Sequence, residues 1–272
     1  MKNKTVTYFV IQTLIALVLA ILTGCKEESF NPALTQQFRL VSTTGVGYEI
    51  KVAMPSTVDP SKRYATLYLL DGDDIFDVAA KQCTAIASGN GQDNVFVVSI
   101  GYGNSRDLDY TPTKTGPDTG GAHAFLAFMR DQLIPEMEQR YPVDTTRNSR
   151  VILGHSYGGL FSAFAFAVDN DVFGNYIILS PSLWYDNEVA LMMEKANRPA
   201  IQSQSQLVFL GQGEMENSGR MQAPFEAFYQ VLATQYTQIY LARHLEKDLG
   251  HIGSRNPNIA LGLEHYFSHR PY

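Results

Sequence analysis

The stretch Val151-Ile152-Leu153-Gly154-His155-Ser156-Tyr157-Gly158-Gly159 sets a polar His-Ser-Tyr triplet between an apolar run and two glycines. Gly154 to Gly158 reads G-x-S-x-G, the pattern in which a serine on a sharp strand-to-helix turn holds its hydroxyl out at the top of a sheet. Packing alone also asks for glycine at such a turn, because larger side chains collide where the chain reverses. Whether Ser156 does chemistry therefore depends on partners elsewhere. A serine hydroxyl is a weak nucleophile until a base takes its proton, and that base needs a carboxylate to fix its tautomer and stabilise the imidazolium.

Downstream of Ser156 the histidines are His244, His251, His265 and His269. His244 falls inside an expected strand and the last two on an expected terminal helix. His251, in Asp248-Leu249-Gly250-His251-Ile252-Gly253, follows a strand in a glycine-flanked loop, from which an imidazole can reach over a sheet edge. For the acid, Gly211-Gln212-Gly213-Glu214-Met215-Glu216 follows another strand and offers two carboxylates. Asn217-Ser218 reads as a helix cap, which puts Glu216 at the far side of the loop, able to turn back toward His251, while Glu214 is nearer the strand end and free to meet a local amide. Asp186 and Asp248 are outside candidates. An acyl intermediate needs backbone N–H donors for its oxyanion: that of Tyr157, and that of Gly72 or Asp73 in the turn Leu70-Asp71-Gly72-Asp73. Arg106, Tyr110, Trp184 and Tyr185 are candidates for a substrate pocket, although the Trp-Tyr pair equally suits a core, and an Arg106–Asp109 salt bridge pinning a long loop is the better reading of those two.

Other patterns lead nowhere. Gly101-Tyr102-Gly103 resembles a dinucleotide fingerprint, but Arg106 stands at the third glycine position and no helix is expected to open there. His265 and His269 lack an H-E-x-x-H and a third ligand, and Asp71, Asp73, Asp74 and Asp77 do not follow the EF-hand spacing. Neither a metal nor a cofactor is expected.

The elements that must position these residues are short apolar runs alternating with amphipathic segments, the pattern of an α/β fold. Strands are expected at 37–42, 47–54, 64–70, 95–101, 149–154, 175–180, 205–211 and 238–245, and helices at 75–88, 121–140, 157–168, 219–234 and 255–269. The turn Thr43-Thr44-Gly45-Val46 suits an antiparallel hairpin, whereas the later runs read as strands buried on both faces. Residues 102–120, polar and rich in Gly and Pro, are expected to form an irregular functional loop.

The amino terminus points to export. Met1-Lys2-Asn3-Lys4 is basic and residues 8–22 are apolar, short of the roughly 20 residues of a spanning helix but suited to a leader's hydrophobic region. Leu22-Thr23-Gly24-Cys25 resembles the lipobox of bacterial lipoproteins, which implies a leader over 1–24, acylation of Cys25, a linker over 25–36, and anchoring to the cell envelope at the outer membrane. The remaining length suits one domain over 37–272. The net charge of −6 becomes −8 once the two leader lysines are gone, and without a basic cluster nucleic acid is excluded as a partner. With Cys25 lipidated only Cys83 remains, so no internal disulfide is expected, and Cys83 reads as a small buried hydrophobe.

Four further stretches carry a family resemblance: Tyr68 to Gly72 (Y-L-L-D-G), Arg106 to Pro112 (R-x-x-D-x-T-P), Gly154 to Phe161 (G-H-S-Y-G-G-L-F) and Ser180 to Asp186 (S-P-S-L-W-Y-D). Together they resemble the esterase branch of the α/β-hydrolases, related to enterochelin esterases, S-formylglutathione hydrolases and feruloyl esterases, from about residue 40 to the end. The resemblance implies an α/β-hydrolase fold, with a mostly parallel eight-stranded sheet, an antiparallel N-terminal hairpin and helices on both faces. It also implies hydrolysis of small-molecule esters or thioesters through an acyl-serine, with Ser156, Glu216 and His251 as triad; the family's G-x-x-[DE] independently selects Glu216 over Glu214. A siderophore trilactone and an acylated glycan are both open as substrates. Acyl transfer on the same scaffold and a non-enzymatic surface-binding lipoprotein are the alternatives, and no obligate protein partner is indicated.

Overall fold

The computed structural model describes residues 30–270 other than Asp93 and Ser218. The leader expected over 1–24, Cys25 and the Ser218 half of the expected cap lie outside the described residues. All eight expected strands form: β1 Thr35–Val41, β2 Gly47–Ala53, β3 Thr66–Leu69, β4 Phe96–Ile100, β5 Arg150–His155, β6 Asn175–Leu179, β7 Gln206–Gly213 and β8 Ile239–Glu246. They make one sheet in the order β1-β2-β4-β3-β5-β6-β7-β8. The hairpin pairs Val41 with Gly47 and Thr35 with Ala53. Its turn closes with the Ser42 amide donating to the Val46 carbonyl at 2.7 Å, and Gly45 supplies the φ of +85° that a larger residue resists. β2 runs antiparallel to β4, and every pairing from β4 to β8 is parallel.

Helices are α1 Gly72–Gly89, α2 Arg106–Tyr110, α3 Ala122–Phe128, α4 Ile134–Arg140, α5 Tyr157–Val168, α6 Val189–Ile201, α7 Gly219–Gln235 and α8 Arg255–His269. The single helix expected over 121–140 is interrupted by a π-helical turn, Met129–Leu133, just before Pro135. Proline has no N–H to donate and crowds the preceding turn, so the wider turn is the physical response. Two helices were not expected. α2 forms inside the polar 102–120 loop, capped by the Ser105 hydroxyl, which accepts from the Leu108 amide at 3.1 Å. α6 hides its signal by burying a charge: Glu194 is 1 % exposed and held by a two-pronged contact from Arg198 and by the Tyr236 hydroxyl, each at 2.8 Å.

Strand alternation divides the core between the two faces of the sheet. Leu67, Leu69, Val151, Leu153, Ile177 and Leu179 pack with Ile75, Ala79 and Cys83 of α1 and Ile259 and Leu263 of α8. Tyr68, Leu70, Ile152, Tyr176 and Ile178 pack on the other face with Phe125, Phe161, Phe164, Phe225 and Phe228. Burial pushes the Cys83 thiol up to about 12, which leaves it protonated and unreactive at neutral pH. The parallel strands β3 to β8 all end at one edge, and the loops that follow β5, β6, β7 and β8 bring Ser156, Ser180, Glu216 and His251 to that edge.

Candidate active site

Ser156 caps α5 with φ 60° and ψ −115°, a sparsely populated conformation that costs about 1–3 kcal/mol for a non-glycine residue. Neighbouring backbone holds it there. Its amide donates to the Leu179 carbonyl at 3.0 Å, and its carbonyl accepts from Ser182 at 3.1 Å and from Leu160 at 2.9 Å. The glycines are steric necessities: a Cβ on Gly154 would run into the Gly158 carbonyl, and one on Gly159 would sit 2.7 Å from the Leu179 carbonyl oxygen. Tyr157 opens α5, so its amide has no acceptor within the helix and lies at the positive end of the helix dipole.

The other side of the site, around His251 and Glu216, is built from side chains. His251 Nδ1 lies 2.6 Å from Glu216 Oε2. The other carboxylate oxygen accepts from the Ser180 hydroxyl at 2.7 Å and the Gly213 amide at 2.9 Å, with the Ser254 hydroxyl farther off at 3.4 Å. Burial alone would raise the Glu216 pKa, but the hydrogen bonds from His251, Gly213 and Ser180 outweigh it and hold the carboxyl below the ordinary glutamate range. Glu214 is turned away and accepts from the Asp248 amide at 3.1 Å. Beneath His251, the buried His155 ring lies 4.6 Å away and its Nε2 sits 2.9 Å from the His251 carbonyl oxygen. Burial, helped by repulsion from His251, lowers the His155 pKa to about 4; the ring is therefore neutral, and Nε2 carries the proton it donates to that carbonyl.

A cleft of about 270 Å³ opens over these groups, lined by Ser156, Tyr157, Arg106, Trp184, Glu216 and His251, with Ser182 and Met221 completing the wall. Arg106 does not pair with Asp109 as expected. Its Nε and second guanidinium nitrogen bind the two Asp71 oxygens at 2.5 and 3.0 Å, and it also donates to the His155 carbonyl at 2.9 Å. Asp109 takes the Tyr48 hydroxyl at 3.1 Å instead. The reason is topological: the turn after β3 delivers Asp71, 4 % exposed, beside the nucleophile turn, a juxtaposition that sequence spacing does not reveal.

Four of the candidate residues lie off the cleft wall. Tyr110 is buried with its hydroxyl accepting from the Asp71 amide at 3.0 Å, and Tyr185 is buried with its hydroxyl donating to the Thr113 carbonyl at 2.8 Å, so both serve packing rather than the pocket surface. Gly72 and Asp73 begin α1, where the Asp74 and Ile75 amides go to the Asp71 carbonyl and theirs have no helical acceptor. Sequence reasoning missed Asp71, Ser180 and Met221. A signal existed for Ser180, the first serine of S-P-S-L-W, but nothing in the spacing said what its hydroxyl meets. A larger recess of about 350 Å³, bordered by Arg63, Asn94 and Asp144, lies by the opposite strand ends; its lining has no serine beside a histidine and carboxylate.

Residues 42–252 match the esterase family described as "Putative esterase". The chain is 29% identical over 235 residues to the ferri-bacillibactin esterase BesA of Bacillus subtilis (strain 168), covering 75% of this chain and 79% of that protein. It is 30% identical over 178 residues to the siderophore triacetylfusarinine C esterase of Aspergillus fumigatus, covering 60% of each. The crystal structure of an IroE-like serine hydrolase from Shewanella oneidensis superposes with a TM-score of 0.77 at 26% identity, over 86% of this chain and 80% of that one. The BES protein from Bacillus cereus gives a TM-score of 0.77 at 25% identity, over 90% and 98%. By sequence and by fold, the chain belongs to this esterase family of α/β-hydrolases and is a carboxylic ester hydrolase.

Proposed function

We propose that hydrolysis proceeds through an acyl-Ser156 intermediate with Glu216 and His251 completing a triad. The observation that carries this is the 2.6 Å contact of His251 Nδ1 with Glu216 Oε2, in the same cleft as a serine held in a strained turn. Glu216 accepts from Nδ1–H, which leaves Nε2 unprotonated and able to take the Ser156 proton as Oγ attacks the ester carbonyl carbon. The tetrahedral oxyanion is received by the Tyr157 amide and an amide of the Gly72–Asp73 turn. Collapse expels the alcohol, which leaves with the proton from His251; water, deprotonated by the same imidazole, then releases the acid and restores Ser156. Ser156→Ala should lower turnover roughly 10⁴-fold or more while melting like the parent, and should no longer be labelled by a fluorophosphonate. A variant that keeps a tenth of the parent rate rules out the covalent route.

For substrate, the relatives named for siderophore esters support a siderophore trilactone. The aromatic wall of Tyr157 and Trp184 and the Arg106 guanidinium suit an aromatic, polar polyester. Faster hydrolysis of a trilactone siderophore than of short-chain aryl esters or of acetylated and feruloylated sugars is the expected order; preference for a sugar ester would replace this assignment. The same reading places the protein in the cell envelope through lipid on Cys25, supported by the lipobox-like Leu22 to Cys25. Cys25→Ser should move the protein out of the membrane fraction, and identical partitioning of variant and parent would refute the anchor.

A further inference from the structure

The segment from Leu179 to Ser182 joins the two halves of the site. On one side it binds the nucleophile turn, through the Ser156 amide on the Leu179 carbonyl and the Ser182 amide on the Ser156 carbonyl. On the other, the Ser180 hydroxyl donates to Glu216 Oε1 at 2.7 Å while the Ser180 amide donates to the Gly211 carbonyl at 2.7 Å. Ser180 is 1 % exposed and off the cleft wall, so it touches no substrate. Its φ is +39°, where the backbone favours glycine, yet the chain keeps a side chain there. The hydroxyl of that side chain has the acid as its partner.

We propose that Ser180 is a positioning residue for the esterase. Its hydroxyl and the Gly213 amide occupy Glu216 Oε1, direct Oε2 at His251 Nδ1, and fix the acid relative to the turn that carries Ser156. The proposal rests on the Ser156–Glu216–His251 reading above. Ser254, at 3.4 Å, is too distant to replace a lost donor. Without the Ser180 hydroxyl, negative charge is less dispersed over the carboxylate, and the Glu216–His251 pair holds a proton more tightly. Activity is then lost at a higher pH on the acid side. The other charged or titratable groups around the pair are His155 beneath His251, Arg255 at the start of α8, Glu214 and Asp248 on the flanking loops, and Arg106 with Asp71 on the elbow side; changing Ser180 alters none of them.

The test compares Ser180→Ala and Ser180→Gly in the full chain, with 4-nitrophenyl butyrate as substrate and melting curves in parallel. Both variants should lose about tenfold in kcat, as expected for a hydrogen bond to a charged group, and keep KM. The acid limb of kcat/KM should move up by about half a pH unit. Glycine accepts φ +39° without strain, so Ser180→Gly carries the test even where Ser180→Ala melts early. Parent-like kcat and an unmoved acid limb in Ser180→Gly, with Ser156→Ala inactive, overturn the role of Ser180 alone. Turnover by Ser156→Ala, together with no fluorophosphonate labelling of the parent, overturns the triad reading and this proposal with it.

Discussion

The Ser156 turn and the Glu216–His251 side of the cleft are held by different forces. Ser156 is fixed by backbone: three main-chain hydrogen bonds, and glycines whose missing Cβ atoms make room for carbonyl oxygens. The three bonds tie it to Leu160 in α5, to Leu179 at the end of β6 and to Ser182 just beyond it. Glu216 and His251 are fixed by side-chain hydrogen bonds among three loops, with Glu216 36 residues from Ser180 and 35 from His251 in sequence. The first arrangement tolerates loss of a side chain but no added atom. The second has room for change and depends on each polar group it contains. Arg106 reinforces the first of the two, since it binds both the turn at the His155 carbonyl and the buried Asp71 beside it.

That contrast is most exposed to failure at the acid. Glu216→Gln should lower kcat by roughly 10³–10⁴-fold with little loss of stability, by analogy with neutralising a triad aspartate, while Glu214→Gln stays near the parent rate. The reverse ranking, read from kcat of both variants, would transfer the role to Glu214. On the backbone side, Gly154→Ala should destabilise by about 3 kcal/mol, the upper part of the overpacking range, because a main-chain carbonyl cannot swing aside as a side chain would. Denaturant unfolding measures it, and a loss below about 0.5 kcal/mol would mean that sterics do not hold the turn.

A smaller effect probes the seam between the two regions. The unfolded chain protonates His155 near the ordinary imidazole value of 6.5, whereas the folded chain holds it neutral down to about 4, so folding stability falls as pH drops through that window. Replacing it by glutamine, whose amide nitrogen reaches the Nε2 position, keeps an N–H for the His251 carbonyl and removes the titration. His155→Gln should therefore recover about 1–2 kcal/mol of the stability lost between pH 7 and pH 5, seen as a shallower dependence of melting temperature on pH. Burial lowers the pKa of His265 in the same direction, so a residual slope is expected. A slope unchanged from the parent would show that His155 does not control it.

Strand positions and the nucleophile turn were legible because their signals are local. β-branched and apolar runs bounded by turn residues mark strands, and G-x-S-x-G specifies its own geometry within five residues. α6 was not legible because a buried Glu194 interrupts its apolar pattern, and its compensating partners, Arg198 and Tyr236, are known only after folding. The Arg106 partner was misassigned for a related reason. Asp109 is only three residues away in sequence, but β3 ends beside β5 in the sheet, which brings Asp71 to the guanidinium.

The sequence by itself determined the eight strands, the hairpin, the serine turn, and His251 and Glu216 as the candidates for base and acid. Each depends on side-chain type and on conformational limits acting over a few residues. Tertiary structure alone decided that Asp71 answers Arg106 and that Ser180 binds Glu216, the carboxylate already favoured over Glu214 by its place in the loop. Hydrogen bonds are made within about 3 Å, and only the packing of parallel strands brings the ends of β3, β5, β6, β7 and β8 within that reach.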